Sequence, residues 1–484
     1  MAQAQVEAAA PAWRFTPSFT LTESWSDNLH LLSEPFARPG WATLLVPALQ
    51  LRHTGPRLDV FADYRYQRTL YTSGDDESQN YLRARATYDV ANNRLFVEAN
   101  ANITQENRSA FGPGVVPGAP GSNPNRVEAR LFSVSPFVRG DVGDSGFWQA
   151  RFNQSDLRTP HENGFGATRQ KTSEALASVR SVRWALDASD LRTRTDATGS
   201  LTDQRVRADL ILAPTSQAHV LLVAGYERTD FTGDGRRSDA TPGAGLEWSP
   251  GPRTQLSAIA QRRFFGTGHV ADLSHRTHFT AWRLSSRRDS SILTNLLASN
   301  AGGLESLMSS LLVSSIADPA ARLASARQRL WELGGAATIV NSGFLTERPF
   351  VYRSLEASMV LLAPRDSGLL ELRERTETAL GAGASAPDSF ILSDEIRQRG
   401  YSAAWTHRLT PLTSFTLAAS GVHTSGAGGS GPTSREDLAT FYVTSRLGPH
   451  TSASFGVRRV DFAGSTQAAS YRENAVFTSL SVRL

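Results

Sequence analysis

No cysteine occurs among the 484 residues of this chain, which excludes a disulfide-stapled scaffold and every thiolate metal site. Lysine is almost as scarce: Lys171 is the only one among 50 basic residues, which stand against 46 acidic ones for a net charge of +4. That charge is small for the length and excludes the basic footprint of a nucleic-acid binder. No stretch approaches the ~18–20 consecutive apolar residues of a membrane-spanning helix. The chain also has no GxxxxGK[ST], no HExxH and no GxSxG set between a strand and a helix, so phosphate-loop, zinc-protease and serine-hydrolase chemistry lack their signatures. These residues predict no enzyme, no cofactor and no metal site.

What the chain does have is a rhythm of alternating segments. Leu58, Val60, Ala62, Tyr64 and Tyr66 alternate with Asp59, Asp63, Arg65 and Gln67, and Leu95, Val97, Ala99, Ala101 and Ile103 alternate with Glu98, Asn100, Asn102 and Thr104. A period of two places each set on one face of a β-strand. Tight turns rich in Gly, Pro, Asn and Asp, such as Ala91-Asn92-Asn93-Arg94, Pro250-Gly251-Pro252-Arg253 and Pro364-Arg365-Asp366-Ser367, alternate with longer connections over residues 71–80, 107–125, 158–170, 377–395 and 424–436. Short turns on one rim and long loops on the other describe a transmembrane antiparallel β-barrel of the outer-membrane kind, in which only alternate residues face lipid. Hydrophobic content of 40% and a negative mean hydropathy suit that pattern.

About 21 strands can be counted, and closure with both termini on one side requires an even number, so 20–22 are expected. The opening MAQAQVEAAAPAW lacks the apolar centre of a secretory signal, so a barrel requires a signal already removed ahead of residues 1–12. The end is itself an alternating strand, with Val476, Thr478, Leu480, Val482 and Leu484 on one face.

Between barrel segments 13–287 and 343–484, residues 288–342 break the rhythm. Leu293, Leu296, Leu297, Leu304, Leu307, Met308, Leu311, Leu312 and Ile316 follow helical spacing, and Asp318-Pro319 caps a further helix carrying Leu323, Leu330 and Leu333. The expectation is a helical insertion, either a hairpin on a rim or a plug in the lumen. Gly302, Gly303, Gly334 and Gly335 would be its hinges.

Several blocks in order, W-R-F-T-P-S-F-T-L-T-E-S-W-S-D-N-L from Trp13, V-P-A-L-Q-L-R-H-T-G-P-R-L-D-V-F-A-D-Y from Val46 and N-R-L-F-V-E-A-N-A-N-I-T-Q-E-N-R-S-A-F-G-P from Asn93, resemble an outer-membrane β-barrel family associated with the PEP-CTERM/exosortase system. The block from Asn125 to Pro136 continues the likeness, and D-P-A-A-R from Asp318 is similar to the start of a helix in that family. The resemblance implies a bacterial outer-membrane location and a link to exopolysaccharide, its periplasmic export proteins and the biofilm matrix.

Charged residues within strands mark the candidate lumen. Arg83, Arg85, Arg139, Arg151, Arg228, Arg262 and Arg373 occupy strand positions where a lipid-facing charge costs about 2–4 kcal/mol near the midplane, so all seven are expected inside or near a rim. They would bind an anionic solute such as uronate-rich polysaccharide through bidentate hydrogen bonds. With Asp59, Asp63, Glu98, Glu128, Asp156 and Asp187 also in strands, the other reading is a ladder of ion pairs that makes a polar interior. Trp13, Tyr71, Trp148, Trp184, Trp248, Phe264, Trp282 and Trp405 are expected in interfacial girdles. His275, His278 and His161-Glu162 are solvated positions unless a Ser or Asp partner joins them. The acidic runs Asp75-Asp76-Glu77 and Asp234 with Asp239 read as loop tips or as sites for cations bridging lipopolysaccharide. Three functions stay open: an export channel, a docking barrel that anchors periplasmic or surface partners, and an outer-membrane lipid-modifying enzyme.

Overall fold

The computed structural model describes residues 13–115, 123–143, 146–160, 169–195, 199–299, 303–313, 315–316, 319–333, 343–381, 388–428, 431–465 and 470–484. Its strands are β1 (Arg14–Ser26), β2 (Gly40–Thr54), β3 (Leu58–Tyr71), β4 (Glu77–Ala91), β5 (Leu95–Asn107), β6 (Arg126–Val142), β7 (Gly146–Arg158), β8 (Arg169–Arg180), β9 (Trp184–Thr195), β10 (Gly199–Thr215), β11 (Ala218–Thr229), β12 (Arg237–Ala240), β13 (Gly243–Gly251), β14 (Thr254–Arg263), β15 (Gly266–Arg276), β16 (Thr280–Ser291), β17 (Phe350–Leu362), β18 (Asp366–Ala379), β19 (Glu395–Arg408), β20 (Thr413–Gly426), β21 (Thr433–Arg446), β22 (Thr451–Gly464) and β23 (Tyr471–Arg483). Three helices, α1 (Leu293–Ser299), α2 (Gly303–Leu311) and α3 (Pro319–Glu332), all fall between β16 and β17.

Each strand pairs antiparallel with its sequence neighbours, and β23 pairs with β1 from Ser18↔Arg483 to Ser26↔Ala475. β12 and β13 both pair with β11, and Thr241-Pro242 lies between them, so they are two halves of one stave in a closed barrel of 22. Proline has no N–H to give a ladder, which is why the stave breaks there. The seam seals the last described backbone, with Leu484 N donating to the Pro17 carbonyl at 2.9 Å. Closure leaves no strand edge unpaired, as a lipid environment demands.

The two faces are assigned by what packs on them. Leu307, Met308 and Leu312 bury themselves against Ala281, Val360, Leu369 and Ala404, so those strand positions point inward. Carried round the barrel by the registers, the alternate positions place Leu210, Leu222, Leu284, Leu372, Trp405, Leu417 and Leu480 outward, all exposed. Leu58, Val60, Ala62, Leu95, Val97 and Ala99 share that outer face through the pairings Leu58↔Tyr88↔Val97. Asp59, Asp63, Glu98 and Asn100 face the lumen. An apolar exterior around a charged interior inverts the soluble pattern and defines a transmembrane barrel; the even stave number and unequal rims are those of the bacterial outer membrane.

The short connections lie at one rim. At Ala91-Asn92-Asn93-Arg94 both asparagines have positive φ, +41° and +63°, and Arg94 N bonds to the Ala91 carbonyl at 2.9 Å; asparagine tolerates that conformation, and the turn's twist matches the strands it joins. Trp13, Trp148, Trp184, Trp248, Trp282 and Trp405 stand exposed on the outer face beside this rim and form its aromatic girdle. Phe264 does not join a girdle: it is buried in the two-residue connection Phe264-Phe265, the shortest on the opposite rim. Strands β1–β5 run 13–15 residues, longer than the ~9–11 that cross a bilayer, because their long-loop ends continue as a polar collar. Residues 77–80, expected in a loop, are part of β4 for this reason.

Within one strand the two faces should respond oppositely to charge. Ala101→Arg, on the outer face near the middle of β5, should cost about 2–4 kcal/mol, whereas Asn100→Arg, one residue away in the lumen, should cost less than about 1 kcal/mol. Urea unfolding of the barrel in lipid vesicles measures both, and equal costs would contradict the assignment of faces.

Candidate functional site

The barrel lumen is occupied by the segment between β16 and β17. It leaves the long-loop rim at Ile292 and crosses to the far wall, where Leu293 and Leu297 of α1 pack on the inward Ala129 and Leu131 of β6 and Leu157 of β7. Thr294 fixes this crossing, its N–H donating to Gln170 Oε1 of β8 at 3.0 Å. α2 and α3 then lie against the opposite wall. Their buried Leu307, Met308, Leu312, Ala326 and Leu333 rest on Ala281 of β16, Val360 of β17, Leu369 of β18 and Ala404 of β19. Those four wall residues sit within a few positions of the short turns, so the helices reach deep into the barrel.

Two polar contacts tie α2 to the wall. Arg276, the last residue of β15, donates from Nη1 to the Ser310 carbonyl at 2.8 Å, an arginine at a helix C-terminus where free carbonyls await donors. Arg83 of β4 forks onto the Glu305 carboxylate, Nη1 and Nη2 each donating to one oxygen. β4 stands half the circumference from β15 and β16, so the Arg83–Glu305 contact joins α2, which packs on β16 and β17, to the facing wall. The two attachments differ in strength. A partly exposed ion pair contributes ~0.2–1 kcal/mol, whereas each fully buried Leu or Met contributes ~1.5–3 kcal/mol. The leucine face is the anchor and Arg83–Glu305 the latch.

The chain returns through a cap at the mouth. Leu345 N donates to the Asn107 carbonyl at 3.0 Å, and Phe344, Phe350, Phe390 and Phe111 are buried together with Ala110 and Ile396. Asp388 accepts from Thr346 Oγ1 at 2.8 Å and sits 3.5 Å from Arg348. Burial raises the Asp388 carboxyl above the usual range in spite of the Thr346 hydroxyl and the Arg348 guanidinium. Ionising this group therefore opposes closure, and the phenylalanines hold the mouth.

Below the cap, the inner wall of β4–β7 carries two stacked rings with a guanidinium on either side. Arg139 lies 4.4 Å over Phe96, Phe96 stacks on Phe137 at 4.9 Å and 10°, and Arg151 lies 4.2 Å over Phe137. Glu98 joins it, 2.8 Å from Arg85 and 3.6 Å from Arg151. The Arg85 side chain is 63% exposed. Two arginines share this carboxylate, and Arg139 instead donates to the Asn93 carbonyl at 3.4 Å, all in the half of the lumen nearest the short turns and across from the helices. The rings hold the guanidiniums of Arg139 and Arg151 in place, and guanidinium forks on one wall can hold the carboxylate of an acidic sugar.

The seven candidate arginines thus separate. Arg85, Arg139 and Arg151 form the stack, Arg83 beside them is taken by Glu305, and Arg373 faces the lumen on the other wall opposite Glu356. Arg228 and Arg262, expected in the lumen or near a rim, take the rim position and face outward. They share the outer face with Tyr226 and Ala260 close to the long-loop rim, where a lipid headgroup region accepts charge. Elsewhere the inner wall is a ladder of ion pairs such as Arg263–Asp289 at 2.8 Å, Arg283–Asp272 at 2.6 Å and Arg458–Glu473 at 2.7 Å. Of the expected hinges, Gly303 opens α2, and Gly302, Gly334 and Gly335 lie outside the described residues. His275 points outward to Thr254 Oγ1 at 2.9 Å and His278 packs edge-on against Phe279; His161 and Glu162 lie outside the described residues. Asp76 pairs with Arg68, Glu77 with Arg126 and Asp239 with Arg237, and no cluster of metal-ligating side chains occurs among the described residues.

Sequence reasoning missed Phe96, Phe137 and Glu305. The first two had a signal: they are aromatic at positions in register with Glu98 and Arg139, where the strand pattern calls for polar residues. Glu305 had none beyond being the acidic residue in the first turn of α2.

No family model and no curated protein matches this chain. Among solved structures it is similar to a ferric enterobactin receptor mutant, PfeA of Pseudomonas aeruginosa, in complex with enterobactin (11% identity, TM-score 0.48, 97% of this chain and 81% of that one). It is similar also to the siderophore receptor PirA of Acinetobacter baumannii (8%, TM-score 0.47, 97% and 80%) and to OccAB3 of the same organism (8%, TM-score 0.36, 97% and 99%).

Proposed function

We propose that this barrel is a gated outer-membrane conduit for an acidic polysaccharide, working in the exopolysaccharide export and biofilm-matrix pathway of the PEP-CTERM/exosortase system. One observation carries the reading: the helical segment bridges the lumen between an apolar anchor on β16–β19 and the ionic latch at Arg83, so anything that crosses the barrel must displace it. Beside that latch, Arg85 and the Arg139 and Arg151 guanidiniums carried on the paired Phe96 and Phe137 rings offer an anionic sugar chain their forks. An incoming carboxylate can compete with Glu305 for Arg83, which couples arrival of the substrate to release of the helix. Release costs little at the latch and much at the anchor, so the resting state is closed. Periplasmic export proteins would then deliver the chain to the short-turn rim.

Single-channel recording in planar bilayers tests the gate. Replacing residues 293–347 with a short Gly/Ser linker, which the pairing Ser291↔Phe350 can accommodate, should convert a nearly silent barrel into one of large, steady conductance. Glu305→Gln should only increase the frequency of brief openings, by a few fold, because the leucine anchor stays in place. Unchanged conductance in the linker variant would refute the gate and leave a docking barrel as the better reading.

The same linker variant tests the substrate class. Oligogalacturonate added from the short-turn side should block its current, and a neutral maltooligosaccharide should not. Arg139→Gln with Arg151→Gln should weaken that block about tenfold or more, the scale of one lost charge-assisted bond of ~1.5–3 kcal/mol. Equal block by acidic and neutral sugars would remove the anionic polymer from the proposal.

A further inference from the structure

The outer surface of the barrel near the long-loop rim is charged, and in several sectors its arginines are paired with carboxylates. Arg130 meets Glu128 at 2.5 Å, Arg158 and Arg169 meet Asp156 at 2.6 and 3.1 Å, and Arg192 meets Asp190 at 3.0 Å. Further round, Arg399 meets Glu374 at 3.2 Å, Arg435 meets Asp437 at 2.7 Å, and Arg459 and Arg472 both meet Asp461. Each carboxylate shares the outer face with its arginine, and Asp156 also stands opposite Lys171, so each of these sectors holds a carboxylate among its cations.

Strands β14–β17 depart from that rule. Arg288 of β16 stands directly opposite Arg353 of β17 and, on its other side, directly opposite His269 of β15. Arg262 of β14 lies two residues nearer the rim than Ala260, the residue opposite His269, and is itself opposite Thr267. All four share the outer face with Leu284 and Leu355, the first large apolar residues of the lipid belt below them. No ion pair to Arg262, Arg288 or Arg353 occurs among the described residues, and the outward positions of β14–β17 in the register carry no Asp or Glu. Arg288 donates only to backbone carbonyls, those of Thr267 at 2.9 Å and Phe265 at 3.2 Å, and His269 Nε2 meets Ser286 Oγ at 3.0 Å.

Like charges directly opposite one another destabilise a sheet, and at the edge of a lipid belt water screens them poorly. Two arginines facing each other there, with an imidazole beside them and no carboxylate between, are an arrangement that an added anion relieves. The depth selects the anion. The guanidiniums sit immediately above the apolar belt on the long-loop side, at the level of the outer-leaflet headgroups, and Leu284 and Leu355 below them offer a surface for acyl chains. We infer that Arg262, His269, Arg288 and Arg353 form a binding site for the phosphoryl headgroup of a phosphorylated glycolipid of the outer leaflet, with guanidinium forks on the phosphate oxygens. β16 and β17 are also the strands from which the lumen segment departs and to which it returns, so the lipid braces the base of that segment from outside.

The test uses the full-length barrel in detergent, with thermal unfolding followed by tryptophan fluorescence and lipid affinity measured by native mass spectrometry. Bisphosphorylated lipid A should bind and raise the unfolding temperature, and enzymatically dephosphorylated lipid A should bind about tenfold or more weakly. Inorganic phosphate at the same concentration should have no effect. Arg288→Gln with Arg353→Gln should lose the lipid A response, while its unfolding temperature without lipid stays equal to or above that of the parent, because a repulsion has been removed. Arg435→Gln, in a carboxylate-paired sector, should keep the lipid A response, and Arg353→Gln alone, whose side chain is exposed, provides a folded variant if the double substitution is not recovered. Undiminished lipid A affinity in the Arg288 and Arg353 variants, equal binding of the dephosphorylated lipid, or full stabilisation by inorganic phosphate alone would each overturn the proposal.

Discussion

A polypeptide in a bilayer has no water to satisfy its N–H and C=O groups, and each group left unpaired there costs several kcal/mol. In this barrel that cost is avoided by closure: every stave bonds to two neighbours, and the seam between β1 and β23 joins residues 449–465 positions apart in the chain. Everything else follows from that ring. Because the ring closes, the strands need no covering layer, their outer residues can be apolar and their inner ones charged. Because it encloses a wide lumen, there is room inside for a segment the strands themselves do not use.

The lumen segment is held by two interactions of different kinds. Burial of leucine and methionine against small wall residues, Ala281, Val360 and Ala404 among them, is strong, non-directional and indifferent to solutes. The Arg83–Glu305 contact is weak, directional and open to competition from any other carboxylate. A closed state that depends on the first and is addressed through the second can be stable and still responsive. The arginine and phenylalanine stack of β4–β7 adjoins the latch and lies away from the anchor, which is where a competing anion would have to arrive.

The outer wall makes a related use of arginine. Where an Asp or Glu lies two residues away on the same strand, as in Asp156-Leu157-Arg158 or Arg459-Val460-Asp461, the pair neutralises itself at the headgroup level. The sector β14–β17 lacks those carboxylates, so its surplus charge is available to the membrane. The same residue type thus has three roles here, set by which side of the wall it faces and what stands opposite: a rung in the inner ladder, a latch to the helix and an outward anion ligand.

Alternation of side chains with a period of two and the asparagine, glycine and proline turns were enough to read an outer-membrane barrel from the sequence, because strand geometry and lipid exposure act locally on each residue. The helical spacing of Leu304, Leu307, Met308 and Leu311 likewise identified an insertion within the β-pattern. Which wall those leucines meet was not legible, since it depends on how the ring brings Ala281, Val360, Leu369 and Ala404 together at one depth. Glu305 and Arg83 are separated by 222 residues, and nothing local to either names the other. Arg228 and Arg262 show the limit in a different way: a one-residue shift of parity exchanges lumen for lipid, and only the pairing of β11 with β10 and of β14 with β13 decides it. The sequence by itself determined that charge and apolar surface would be segregated across a barrel wall. The tertiary structure alone decided which charges meet, because partners in a closed sheet are chosen by register and by the circumference, and neither is a property of any single strand.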